Sequence, residues 1–139
     1  MKVISGIEAY NGNRKTAVTL GKFDGLHRGH QKLLEKVFSY SGDGCESVVC
    51  AFDMHRDSLM TVRERRAHLS GKADWLIEQP LSGDFMSMEA EKFIEEVLYK
   101  KLHAAHLVVG TDFNFGRGRR GNARMLETYA DRYGYTVDV

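Results

Sequence analysis

Two histidines at i, i+3 spacing, His27 and His30, stand among glycines in the stretch Gly21-Lys22-Phe23-Asp24-Gly25-Leu26-His27-Arg28-Gly29-His30. The chemistry this combination suits is phosphate binding. Gly21, Gly25 and Gly29 carry no Cβ, so the backbone can approach a ligand closely. A helical pattern follows at Gln31-Lys32-Leu33-Leu34, and a helix start offers unpaired N–H groups and the positive end of a dipole. Imidazoles spaced this way can both present ring N–H donors to the same phosphates, which makes their tautomer or protonation state part of the chemistry. A simple helix cap explains one such histidine. Two of them in an HxGH pattern, behind an apolar strand and Phe23-Asp24-Gly25, favour phosphate binding. Asp24 has two readings, a turn cap or an organiser of metal or substrate.

A second stretch combines aromatic and cationic side chains: Leu107-Val108-Val109-Gly110-Thr111-Asp112-Phe113-Asn114-Phe115-Gly116-Arg117-Gly118-Arg119-Arg120-Gly121-Asn122. Phe113 and Phe115 flank Asn114, and each ring either packs beside a flat ligand ring or closes the core beneath a loop. Gly116, Gly118 and Gly121 give the stretch freedom, and Arg117, Arg119 and Arg120 can meet phosphate oxygens or remain a solvated basic loop. A basic, aromatic loop also suits RNA. The formal net charge of +1 and the lack of a second basic patch argue against a nucleic-acid partner.

Five apolar runs alternate with helical patterns and must position these residues: Thr16–Leu20, Ser47–Phe52, Asp74–Glu78, His106–Gly110 and Tyr135–Val139. Several are continuously apolar, as in strands covered on both faces of a parallel sheet. Helices are expected at about His30–Tyr40, Val62–Leu69, Met88–Leu102 and Ala123–Tyr133. In the third, Ala90, Phe93, Ile94, Val97, Leu98 and Leu102 form one stripe, with Ser87 as the expected N-cap and Glu89 and Glu91 at the favourable end of the dipole. Gly134 is placed to end the fourth. The expected fold is therefore α/β, a doubly wound, mostly parallel sheet of about five strands with helices on both faces, Rossmann-like, with its ligands beyond the carboxyl ends of the strands.

A chain of 139 residues with 42% hydrophobic and 28% charged residues is one globular domain of ordinary size. The start, MKVISGIEAYNGNRK, lacks the apolar core of a signal peptide, and no run reaches membrane-spanning length. Cys45 and Cys50 are not in a CxxC arrangement and suit buried, reduced thiols. The cytoplasm is the expected compartment, with no membrane partner.

The stretch TLGKFDGLHRGHQKLL resembles the first signature of the prokaryotic bifunctional riboflavin kinase/FAD synthetase family, in its FMN adenylyltransferase module; HxGH alone marks the wider nucleotidyltransferase superfamily. The second stretch resembles the same family's VVGxDFxFGxxxxGN pattern. The likeness continues through Thr61-Val62-Arg63-Glu64-Arg65, through Leu76–Phe85 and through Ala90-Glu91-Lys92-Phe93-Ile94, and spans roughly residues 14 to 139. Where the family has F-x-P-H-P, this chain has Phe52-Asp53-Met54-His55-Arg56, without either proline.

The resemblance implies FAD synthesis, ATP + FMN → FAD + pyrophosphate. It places ATP at Gly21, Phe23, Asp24, Gly25, His27, Gly29 and His30, with His27 and His30 as the catalytic pair. It places the flavin at Asp112, Phe113, Asn114, Phe115, Gly116 and Arg117. Mg2+ is expected to ride on the ATP phosphates rather than in a protein cage. The superfamily's later S-S/T-x-x-R signature does not occur up to Val139, and neither does a riboflavin kinase sequence. The expectation is one FMN adenylyltransferase domain over 1–139 with its C-terminal part missing, which binds nucleotide weakly and makes FAD slowly or not at all. Two alternatives stand beside it: another phosphomonoester acceptor, or an inactive flavin- or nucleotide-binding fragment.

Overall fold

The structure is a computed structural model that describes residues 1–21, 28–53, 59–81 and 83–139, with the backbone alone at 28–30, 53, 59–62 and 84. The strands are β1 (Lys2–Ser5), β2 (Thr16–Gly21), β3 (Glu46–Asp53), β4 (Trp75–Pro80), β5 (Ala104–Val108), β6 (Asn114–Phe115), β7 (Gly121–Asn122) and β8 (Thr136–Asp138). The helices are α1 (Arg28–Ser39), α2 (Leu59–Leu69), α3 (Gly83–Met86), α4 (Ala90–Lys92), α5 (Ala123–Thr128) and α6 (Ala130–Tyr133). α4 runs on through wider, π-helical turns over Phe93–Lys101.

Six strands form one parallel sheet in the order β1-β4-β3-β2-β5-β8, and β6 and β7 make a separate antiparallel pair. The continuous apolar runs are explained by burial on both faces. Val48, Cys50 and Phe52 of β3 join one apolar cluster, and Val49 and Ala51 between them join another. β5 divides the same way, with Leu107 and the following Val109 on the first face and Val108 on the second.

Leu34 and Val37 of α1 and Leu69 of α2 cover the second face. Phe93, Ile94, Val97 and Leu98, with Leu126 of α5, cover the first. Each such side chain contributes about 1.5–3 kcal/mol when fully buried. The sheet is thus doubly wound, and every residue of the expected stripe from Ala90 to Leu102 is buried.

Two expectations are corrected. The sheet has six strands rather than about five, because β1 pairs along the outer edge of β4. β1 is short and mostly exposed, so it lacks the apolar run that marks an inner strand. Ser87 does not cap the third helix: α4 starts at Ala90 after Glu89, whose backbone is extended and whose side chain makes no cap bond. Ser87 lies two residues before that cap position, its backbone N–H donating to the Gly83 carbonyl. Gly134 does end the last helix, in the left-handed region at φ 73°, which glycine adopts without strain.

One ion-pair cluster lies under the second face. Arg65 of α2 is 1% exposed, and its Nη2 lies 3.1 Å from Glu78 Oε2 on β4. Arg66 Nε donates to the same oxygen at 3.0 Å. Burial alone would raise the Glu78 pKa, but hydrogen bonds from Arg66 and Arg65, and their charges, outweigh it and hold the carboxyl below its ordinary value.

Candidate functional site

The chain winds from β2 through β3 to β4 and then crosses back to lay β5 on the other side of β2. The reversal of strand order falls between β2 and β5, where Thr19 pairs with Val108. A crevice at such a reversal, beyond the carboxyl ends, is where open α/β sheets hold ligands. Both glycine-rich turns singled out in the sequence leave the sheet at this point: β2 ends at Gly21, and β5 leads through Val109 to Gly110.

Of the first turn's residues, Phe23, Asp24, Gly25 and His27 lie outside the described residues, as does His55. Gly21 closes β2, and Gly29 and His30 lie inside the first turn of α1, which begins at Arg28 rather than near His30. α1 follows β2 and precedes β3 in a parallel pair, so its amino end faces the carboxyl edge of the sheet. The first-turn N–H groups of a helix have no intrahelical acceptor and suit an anion there.

The second turn is described throughout. The Phe113 N–H donates to the Gly110 carbonyl, and β6 then pairs with β7 through Asn114 and Asn122. Phe113 and Phe115 do not share one environment. Phe115 is 7% exposed and belongs to the core, whereas Phe113 is half-buried at its margin. Phe113 lies nearly parallel to Phe115, with centroids 5.6 Å apart, and to Phe52 at the end of β3, 6.0 Å away. Phe85 and Phe93 complete a five-ring cluster beneath the carboxyl edge. The sequence pointed to neither Phe52 nor Phe85 as part of this floor, since contacts between distant segments leave no local pattern.

The glycines and polar residues of this turn have specific local work. A Cβ on Gly121 would lie 2.6 Å from the Phe115 ring, and one on Gly116 would lie 2.7 Å from Ala90. Asn122 is the N-cap of α5, its Oδ1 accepting from the Met125 N–H at 2.9 Å. Asp112 and Asn114 are exposed, and Arg119 Nη2 donates to Asn114 Oδ1 at 3.2 Å. Arg117 and Arg120 face the Glu89 carboxylate at 3.6 and 3.4 Å.

A hollow of about 410 Å³ lies at the opposite, amino end of the strands, lined by Lys15, Tyr99, Lys100 and His103 among others. It holds none of the residues that the sequence marks for ATP or flavin. Open α/β sheets hold their ligands at the other end, beyond the carboxyl ends of the strands. Among the described residues no helix is long and apolar enough to cross a membrane, and no three His, Cys, Asp or Glu side chains come together as a metal site.

The family model for FAD synthetase matches residues 10–139 of this chain. The chain belongs to the FAD synthetase family. Among its relatives, a bifunctional riboflavin kinase/FMN adenylyltransferase from Buchnera aphidicola (Schizaphis graminum) is 32% identical, over 99% of this chain and 48% of its own length. The Haemophilus influenzae protein of the same description is 32% identical over 99% and 49%. A FAD synthetase from Listeria monocytogenes is 29% identical over 87% and 54%. The chain spans about half the length of the curated relatives it matches. A crystal structure described as a macrolide-efflux protein from Streptococcus pneumoniae superposes with a TM-score of 0.75 over 98% of this chain and 49% of its own, at 23% identity. That likeness supports the fold. The FAD synthetase match contains both glycine turns and leaves β1 outside it.

Proposed function

We propose that this chain binds ATP and FMN at the carboxyl edge between β2 and β5 and transfers the adenylyl group of ATP to FMN. The observation that carries this reading is the adjacency of the strand ends that open into the two signature turns, since β2, ending at Gly21, pairs with β5, which ends at Val108. Relatives described as FMN adenylyltransferases and FAD synthetases support it.

A phosphate oxygen of FMN attacks the α-phosphorus of ATP in line. The new P–O bond forms as the bond between the α-phosphorus and the bridging oxygen breaks, and pyrophosphate leaves with that oxygen. No electrons change hands, and the protein's share is positioning and charge neutralisation. His27 and His30 donate to the α- and β-phosphate oxygens, assisted by the backbone at Gly29. Asp112, Phe113, Asn114, Phe115, Gly116 and Arg117 form the flavin side, where the half-buried Phe113 offers the exposed part of its ring and Phe115 supports it from the core. Mg2+ fits here as an ion carried on the phosphates, since it keeps several waters and needs few protein ligands; bound there, it supplies charge neutralisation. Two buried, unbridged cysteines, Cys45 and Cys50, suit a reducing compartment, and we place the chain in the cytoplasm.

The test is pyrophosphate release from Mg-ATP with FMN present, on this chain and on one extended through the S-S/T-x-x-R segment of the family. His27→Ala and His30→Ala are each expected to slow release by roughly ten- to a hundredfold, the loss of charge-assisted hydrogen bonds of about 1.5–3 kcal/mol. Turnover that ignores both substitutions, or that proceeds equally without FMN, contradicts the reading.

A further inference from the structure

The tip of the second turn is curled by an unusual run of left-handed residues. Gly116, Gly118 and the non-glycine Arg119 have φ of 78°, 63° and 57°. A non-glycine residue in this region is uncommon, and such positions concentrate at functional sites. The curl sets Arg117 and Arg120 against one carboxylate, with Glu89 Oε1 3.6 Å from Arg117 Nη1 and Oε2 3.4 Å from Arg120 Nη1. Each carboxylate oxygen thus takes one guanidinium, an arrangement that two oxygens of a phosphate can reproduce with more charge. We propose that Arg117 and Arg120 form a phosphate-binding pair and that Glu89 occupies it until a substrate phosphate displaces the carboxylate. The role assigned to that phosphate rests on the adenylyl-transfer reading above; the anion site itself does not.

Three features give the expected direction. The pair carries two positive charges against one negative, so the tip remains attractive to anions while Glu89 is in place. The three side chains are 69%, 62% and 46% exposed for Arg117, Arg120 and Glu89, and ion pairs so solvated are weak and readily exchanged. The loop is also held independently of the carboxylate: the Arg117 N–H donates to the Met88 carbonyl at 2.8 Å, Gly116 lies against Ala90, and Phe115 is in the core. Glu89 does not cap its own helix either. Removing its charge should therefore free the arginines without moving them.

The test is calorimetric titration with inorganic pyrophosphate at low salt, on Glu89→Gln, on Arg117→Gln/Arg120→Gln, and on the triple variant. Glu89→Gln is expected to bind pyrophosphate roughly three- to tenfold more tightly than the parent, which is what release of weak exposed ion pairs allows. The arginine double variant should bind more weakly, and in it the Glu89 substitution should have no effect. Equal or weaker binding by Glu89→Gln, a gain that survives loss of both arginines, or no pyrophosphate binding by any form overturns the proposal. FMN, riboflavin and ATP identify the phosphate's source. A gain for FMN absent for riboflavin assigns the pair to the acceptor, and a gain for ATP alone assigns it to the donor. Failure of FMN-dependent turnover with the pyrophosphate effect intact would sink the adenylyl-transfer reading and leave this anion site standing.

Discussion

The two ends of the parallel sheet are built differently. At the amino end, strand starts are tied into their neighbours. The Thr16 N–H donates to the His103 carbonyl and its hydroxyl to the Leu102 carbonyl at 2.8 Å, while the Glu46 N–H donates to the Lys15 carbonyl. Ser47 and Asp74 bond reciprocally, the Ser47 N–H to Asp74 Oδ2 and the Asp74 N–H to Ser47 Oγ, each at 2.9 Å. At the carboxyl end the described turn keeps exposed guanidiniums, an exposed carboxylate at Asp112 and a half-buried ring, set on a floor of buried phenylalanines. One end ties its polar groups into neighbouring strands, and the other pairs them in exposed positions over an apolar base. The proposed chemistry belongs to the second, and the 410 Å³ hollow lies at the first.

Substitutions can break this contrast, and the largest effect falls within the carboxyl end. Phe115→Ala should destabilise the fold by about 3–5 kcal/mol through a core cavity, measured by denaturant unfolding. Phe113→Ala should cost less stability yet abolish the quenching of FMN fluorescence that stacking produces. If both lose stability equally and quenching persists, Phe113 is a second core residue and no more.

Glu78→Gln removes the counter-charge of the buried Arg65 guanidinium and should cost about 3 kcal/mol. The sign with pH follows from a depressed carboxyl: the contribution of Glu78 is fully present above its unfolded pKa and is lost as pH falls through the lower folded value. Parent and variant should therefore converge in stability in that acid window. Parallel pH profiles would contradict the assignment. Smallest is the amino-end change. Thr16→Val should cost about 1 kcal/mol for the buried hydroxyl bond and leave pyrophosphate, ATP and FMN binding as they were.

Much of this was legible in the sequence, for identifiable reasons. Val48–Phe52 and Leu107–Val109 are apolar at successive positions because both sheet faces are covered, and the Ala90–Leu102 stripe is buried whole. β1 left little trace because an edge strand with exposed residues needs no apolar run. Phe113 and Phe115 could not be told apart locally: they sit two positions apart, side by side, and only packing across the fold, Phe115 against Phe93 and Phe113 against Phe52, makes one core and the other marginal. The pairing of Glu89 with Arg117 and Arg120 and the Arg65–Glu78 pair were invisible for a related reason, since each joins side chains from separate elements. Motif spacing marked the two turns, but only strand order shows that they share an edge.

The most direct test of that shared edge is a crystal structure with FMN and a non-hydrolysable ATP analogue. The account predicts the nucleotide at Gly21 and the amino end of α1, with the flavin ring against Phe113 across the β2–β5 reversal. Ligand found instead in the hollow of Lys15, Tyr99, Lys100 and His103 would contradict it.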